Sequence, residues 1–153
     1  MSTGSDVPFE MTLLVRDSCL CLHVQRAARA LARRFDEALR PIGLTNGQFS
    51  LLMSLNRPEP AGMAAVAALL AIDRTTLTAA LKPLERRGLV VLRVDPKDAR
   101  SRQMILTPLG RTVLAGAVPI WQRVHAAVEA ALDGADAGRL RHDLKSLSDG
   151  TPV

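Results

Sequence analysis

Tyrosine is absent from the 153 residues, and the aromatic side chains are limited to Phe9, Phe35, Phe49 and Trp121. Proteins that read single strands or RNA stack bases on rows of exposed rings, so this scarcity argues against that class. Cysteine is nearly as rare: Cys19 and Cys21 are too few and too close for a disulfide framework. No apolar run approaches the roughly 18 residues that a membrane helix needs, because arginines and acids interrupt every candidate stretch. The N-terminal segment does not show a basic stretch, an apolar run and a small-residue cleavage site in that order, so the chain is expected to be cytoplasmic, with no membrane partner. Gly-rich phosphate loops, Walker motifs and Gly-x-Ser-x-Gly elbows are missing too. His125 and His142 have no cysteine or carboxylate at catalytic spacing, and the expectation is a protein without enzymatic activity or cofactor.

What is present is enough for a core. Hydrophobic residues make up 48% and charged residues 23%, which excludes the charge-heavy, apolar-poor composition of disordered chains. The length fits one domain or one protomer of an oligomer. Net charge is +5, and its distribution matters more than its size. Residues 74 to 111 hold nine bases against three acids, whereas the remainder holds 11 bases and 12 acids. One quarter of the chain therefore carries all the positive excess, the footprint of a surface that meets a polyanion.

Residues 1–16, with Gly4 and Pro8, read as a flexible N-terminal arm. With Asp17 or Ser18 as N-cap, Leu20, Val24, Ala27, Leu31, Phe35 and Leu39 recur every three or four residues, predicting a long amphipathic helix within 17–43 that Pro41 and Gly43 end. Thr45-Asn46-Gly47-Gln48 matches a capping box ahead of a short helix bearing Phe49, Leu52 and Met53. Pro58 and Pro60 break the chain before a third helix with Met63, Val66 and Leu70. Asp73 caps a fourth, striped by Leu77, Leu81 and Leu84 and closed at Gly88, although Pro83 lies inside it and threatens a kink.

Residues 89–94 and 103–106 are β-prone and flank eight polar residues, 95–102, which predicts a hairpin with a long basic tip. Thr107-Pro108 starts a helix of some 25 residues, bent at Pro119, and a last short helix follows within 107–147, leaving a tail of 148–153.

Two helices joined by a tight turn and followed by a hairpin form a winged helix-turn-helix, placed at 44–106. The fold class is mainly α with a small β-hairpin wing and long N- and C-terminal dimerisation helices. At 100° per residue, Thr75, Ala79, Lys82 and Arg86 point away from the leucine stripe of the fourth helix, with Thr76 and Thr78 on the flanks. Short side chains near its N-terminus suit close approach to bases and phosphates of double-stranded DNA, while Lys82 and Arg86 suit the backbone. On the wing, Arg100 and Arg102, with Lys97 nearby, suit the deep negative potential of a narrow minor groove, and Asp98 is placed to brace Arg100. The bland alternatives, a solvated helix face and a polar loop, fit each piece separately.

In this order the sequence resembles the MarR family of winged-helix transcriptional regulators. The resemblance rests on Leu44-Thr45-Asn46-Gly47-Gln48-Phe49, Asp73-Arg74-Thr75-Thr76-Leu77-Thr78, Leu84-Glu85-Arg86-Arg87-Gly88-Leu89-Val90, the wing Asp95-Pro96-Lys97-Asp98-Ala99-Arg100, and Leu106-Thr107-Pro108-Leu109-Gly110. It implies a homodimer, a palindromic operator and repression relieved by a small ligand or by oxidation. It also implies that Arg74, Thr75, Thr76 and Thr78 face bases and that Arg100 enters the minor groove. Small phenolic or lipophilic effectors bind between the dimerisation helices and the winged domain in such proteins. Val24, Phe49 and Met53 could line that gap here, or equally a core.

Peroxide-sensing members carry a reactive cysteine near the start of their first helix, and Cys21 falls at a similar place. Those proteins are similar in holding the thiolate with tyrosines, which this chain lacks, so Cys21 stands as either a redox switch or an inert thiol. Cys19 and His23 share one helical face and Cys21 lies opposite, so no metal site is expected. An interaction module without DNA function is the remaining alternative.

Overall fold

The computed structural model describes residues 6–149. The chain divides into two compact units, one ending at Arg34 and one beginning at Phe35.

In the first unit, α1 (Phe9–Ser18) follows directly on Pro8, and α2 (Leu20–Leu39) begins two residues after α1 ends. This corrects the expected arm: residues 9–16 are helical, with Met11, Leu14 and Val15 at helical spacing. Residues 1–5 of that arm lie outside the described residues. Neither Asp17 nor Ser18 caps α2. Asp17 pairs with Arg16, Ser18 Oγ donates back to the Leu14 carbonyl, and Cys19 takes extended backbone between the helices (φ −71°, ψ 110°). The Leu22 amide points at Cys19 Sγ at 3.5 Å, so a thiol occupies the place of a capping oxygen.

The second unit starts in the last turn of α2 and holds the buried core. A single 3-10 turn (Arg40–Ile42) ends at Gly43, whose φ of 72° is the left-handed conformation that glycine adopts without a Cβ penalty. The helix α3 (Asn46–Ser54) opens with the full reciprocal cap: Thr45 Oγ1 accepts from the Gln48 amide, and Gln48 Oε1 accepts from the Thr45 amide. Asp36 at the end of α2 accepts from both the Asn46 amide (2.7 Å) and its side chain (2.8 Å), which ties the two helices and holds the carboxyl below its ordinary range.

Next come β1 (Ala61–Gly62), α4 (Met63–Leu70) and α5 (Arg74–Arg86), the last two meeting at 101°, the angle of a helix-turn-helix. Leu77, Leu81 and Leu84 are at most 1% exposed, so the predicted stripe is the buried one. α5 runs on through Pro83 and ends in a Schellman arrangement, with Gly88 at φ 70° and the Leu89 amide on the Leu84 carbonyl.

The strands β2 (Val90–Asp95) and β3 (Asp98–Leu106) pair antiparallel, with β3 central in the order β1-β3-β2. The sequence-based hairpin had an eight-residue tip; here the ladder continues almost to the turn at Pro96 and Lys97, since main-chain pairing does not require apolar side chains. The two-residue β1, which nothing in the sequence signalled, pairs Ala61 with Met104.

Thr107 and Pro108 start α6 (Pro108–Ala130), and α7 (Ala137–Ser148) follows, capped by Asp136. At about 1.5 Å per residue α6 is roughly 35 Å long. Its start is pressed against the end of β2's lead-in: Thr107 Oγ1 donates to the Gly88 carbonyl at 2.6 Å, and a Cβ on Gly110 would lie 2.1 Å from the Leu89 carbonyl oxygen. Of the expected tail, only Ser148 and Asp149 are described, the serine still within α7.

Candidate nucleic-acid interface

The N-terminus of α5 is built by Asp73. Its carboxylate accepts the Thr76 amide at 2.7 Å, and that hydrogen bond holds the group below the ordinary carboxylate range. Thr78 Oγ1 donates to the Arg74 carbonyl at 2.8 Å, so its methyl and not its hydroxyl is the freer part. Arg74, Thr75, Thr76, Thr78, Lys82 and Arg86 are all exposed; by helical spacing Thr75, Lys82 and Arg86 lie opposite the buried leucines, Thr76 and Thr78 flank them, and Arg74 stands at the N-terminal end nearer the leucine side.

The hairpin repeats the device. Asp95 accepts the Lys97 amide at 2.8 Å, and Asp98 accepts the Arg100 amide at 3.0 Å. Asp98, read from the sequence as close enough to brace Arg100, accepts its main-chain amide, and the Arg100 guanidinium forms no ion pair among the described residues. Side chains on a strand alternate, so Arg102 shares the sheet face of Met104 and Leu106, which belong to the core cluster that also holds Leu81 and Leu84. Between Arg102, paired with Val94, and Asp98, paired with Asp95, the register shifts, and Arg100 lies in that irregular stretch near the turn. Arg93, on the other face, donates to Gln103 Oε1 at 3.0 Å.

None of the nine cations between residues 74 and 111 forms an ion pair among the described residues. The ion pairs among the described residues lie elsewhere, on α1, α6 and α7, where Arg16, Arg139, Arg141 and Lys145 each meet a carboxylate. Four of the 11 bases outside residues 74–111 are paired in this way, whereas on α5 and the wing none is.

A cavity of 410 Å³ opens between Phe49, Met53 and Ser54 of α3, Leu69 of α4, and Val118 and Trp121 of α6. Trp121 stacks on His125 (ring centroids 4.6 Å apart, 10° between planes) and faces Phe49 at 6.3 Å. His125 Nε2 lies 3.2 Å from Glu129, which also accepts from Arg141 and is held below its ordinary range by that bond. Of the three pocket residues predicted, Phe49 and Met53 line this cavity; Val24 belongs to the other unit, exposed on α2. Trp121 and Leu69 were missed, because spacing that lines a cavity and spacing that fills a core are the same.

Cys21 is exposed; Gln25 Nε2 donates to its sulphur at 3.1 Å. Among the described residues no three His, Cys, Asp or Glu side chains gather as a metal site would need.

A crossed helix pair, a hairpin bearing unpaired arginines and flanking long helices define a winged helix-turn-helix protein. Residues 42–101 match the MarR family. The chain is 41% identical to the Mycobacterium tuberculosis transcriptional regulator MosR, solved in complex with DNA, over 86% of this chain and 95% of that one, with a TM-score of 0.79. CouR from Rhodococcus jostii, bound to p-coumaroyl-CoA, superposes with a TM-score of 0.73 at 26% identity over 90% of this chain and 96% of that one. TtmR of Methylorubrum extorquens is 35% identical over 109 residues, which is 71% of this chain but only 53% of that protein. The chain belongs to the MarR family of transcriptional regulators, which are not enzymes.

Proposed function

We propose that the chain is a homodimeric repressor that binds a palindromic operator in double-stranded DNA and is released by a small-molecule effector. The observation that carries this reading is the gathering of nine bases against three acids in residues 74–111, with the cations of α5 and the wing exposed and outside any ion pair among the described residues. In this reading the threonines and Arg74 face bases, Lys82 and Arg86 face phosphates, and Lys97, Arg100 and Arg102 carry the wing along the backbone and into the minor groove. MosR, the DNA-bound relative, supports it.

Dimerisation has its own support. Leu140, Leu144 and Leu147 form an exposed stripe on α7, and Phe9, Leu14 and Leu20 are more than half exposed on α1 and the start of α2. A two-fold pair would present its α5 helices about one DNA turn, roughly 34 Å, apart. The effector would enter the Trp121-walled cavity, as a lipophilic molecule suits walls of this chemistry. Titration of the protein against duplex from its own upstream region, at several salt concentrations, tests the reading. Steep salt dependence and a two-to-one protein stoichiometry are expected, and salt-independent or absent binding refutes it, leaving an interaction module.

One observation favours a second signal. Arg29 Nη2 donates to Gln25 Oε1 at 3.1 Å, which orients the Gln25 amide with its N–H toward the Cys21 sulphur. In this variant oxidation at Cys21 releases DNA, so peroxide should dissociate the wild-type complex and spare Cys21→Ser. Equal responses of the two proteins make the thiol structural.

A further inference from the structure

Arg86 and Arg87 are neighbours in sequence and part company in the fold. At about 100° per residue Arg86 lies opposite the buried leucines of α5, whereas Arg87 is turned away from it and stands at the helix C-cap. Arg87 Nη1 donates to the Gly43 carbonyl at 2.7 Å, across 44 residues of chain; no other side-chain hydrogen bond among the described residues spans more than 19. The acceptor is held stiffly. Gly43 closes the turn Arg40–Ile42 in the left-handed conformation, its amide donates back to the Arg40 carbonyl at 2.9 Å, and Leu39 and Leu44 on either side are buried. The donor is bracketed in the same way by Leu84 and Leu89, both buried, at the joint where α5 hands over to β2. A Cβ on Gly43 would lie 3.2 Å from Arg87 Nη2, so glycine here serves the close approach of the guanidinium as well as the backbone.

We propose that Arg87 is a positioning residue for DNA reading: its guanidinium latches the joint between α5 and the wing to the turn that ends α2, and does not itself meet a phosphate. The inference rests on the DNA-binding reading above and sets Arg87 apart from the other bases of residues 74–111. Base edges are read through hydrogen bonds whose directions are exacting, whereas phosphates are met by charges that tolerate small displacements. Loosening the latch should therefore blur sequence discrimination and leave the electrostatic part of binding in place. Asp36 completes the frame: its carboxylate accepts the Asn46 amide and side chain, so the end of α2 is tied to the start of α3 as Gly43 is tied to the end of α5. The bond from Arg87 is charge-assisted, and its acceptor sits in a turn already fixed by the core, so little backbone freedom is lost in making it.

The probes are a duplex from the protein's own upstream region and a scrambled duplex of the same length and composition, each titrated by fluorescence anisotropy at several salt concentrations. Wild-type protein should favour the upstream duplex. Arg87→Met keeps an unbranched stem and deletes both donor and charge. It should weaken binding to the upstream duplex about tenfold, the order of one charge-assisted hydrogen bond, hold the scrambled duplex within about twofold, and leave both salt slopes unchanged. Arg87→Lys, which keeps a cationic donor, should recover upstream affinity to within about threefold of wild type.

A slope shallower by about 2 per dimer on both duplexes makes Arg87 a phosphate contact and overturns the latch. Wild-type affinity in Arg87→Met overturns it too, as does equal weakening of both duplexes at unchanged slope, or an Arg87→Lys protein as weak as Arg87→Met. An Arg87→Met protein that circular dichroism shows unfolded also overturns it, because the side chain then supports the fold and not its aim. Wild-type protein that binds both duplexes alike has no discrimination to lose and sinks the latch alone, whereas wild-type protein that binds neither overturns the DNA-binding reading itself.

Discussion

Removal of the Arg100 side chain is the most direct test of the interface. The residue is exposed, its guanidinium forms no ion pair, and Asp98 holds its backbone through the amide and not through the side chain. Arg100→Ala therefore should leave the hairpin register intact while deleting one positive charge per protomer, two per dimer. If Lys82, Arg86, Lys97, Arg100 and Arg102 each neutralise one phosphate charge, a dimer neutralises ten, and the slope of log K against log salt is about −9 for duplex DNA. The substitution should make that slope shallower by about 2 and cost about 1–3 kcal/mol at moderate salt. Fluorescence anisotropy of a labelled operator between low and moderate salt reads both quantities, and circular dichroism with sedimentation checks that fold and dimer survive. An unchanged slope and affinity in a folded dimer would remove the wing from the interface, and with it the argument from unpaired cations.

Two further outcomes follow from backbone geometry. Gly110→Ala places a methyl 2.1 Å from the Leu89 carbonyl oxygen, a backbone atom that cannot swing away, so α6 must shift; thermal or urea unfolding should register a loss of about 1–3 kcal/mol, and a midpoint equal to wild type would mean that the close approach is absent. Asp73→Ala should destabilise the protein at neutral pH by stripping the α5 cap. Because the folded-state pKa of Asp73 lies below its ordinary 3.8, its contribution is fully present above 3.8 and is lost as pH falls through the folded value, so the gap between mutant and wild type in urea titrations should narrow in acid. A gap independent of pH would show that the carboxylate is not the cap.

What the sequence made legible was local chemistry with one reading. The Thr45/Gln48 box, the Leu77-Leu81-Leu84 stripe, Gly88 and Thr107-Pro108 each carry their own geometry, and each stands where the spacing put it. Pro83 looked like a fault, yet α5 runs on through it to Arg86. What was hidden depends on partners distant in sequence. The pairing of Ala61 with Met104 leaves no mark on Ala61 or Gly62, and β3 extends back through a register shift to Asp98 without the apolar alternation by which strands are recognised. α1 escaped notice because none of its residues is buried in its own chain, so its periodicity has no core to point to. The cavity was half legible: Phe49 and Met53 were visible as an apolar face, but only the fold brings Trp121 from α6 to stand 6.3 Å from Phe49.

The acids of the basic segment explain how so much like charge is held without being cancelled. Asp73, Asp95 and Asp98 each spend a carboxylate oxygen on a main-chain amide, those of Thr76, Lys97 and Arg100 respectively. Each bond fixes the backbone at the spot where a cation or a hydroxyl is presented, and none neutralises a guanidinium. A surface selected only for stability would pair these groups, as α7 does with Arg139 and Asp143. Leaving the cations bare costs self-repulsion, which a polyanion relieves on binding.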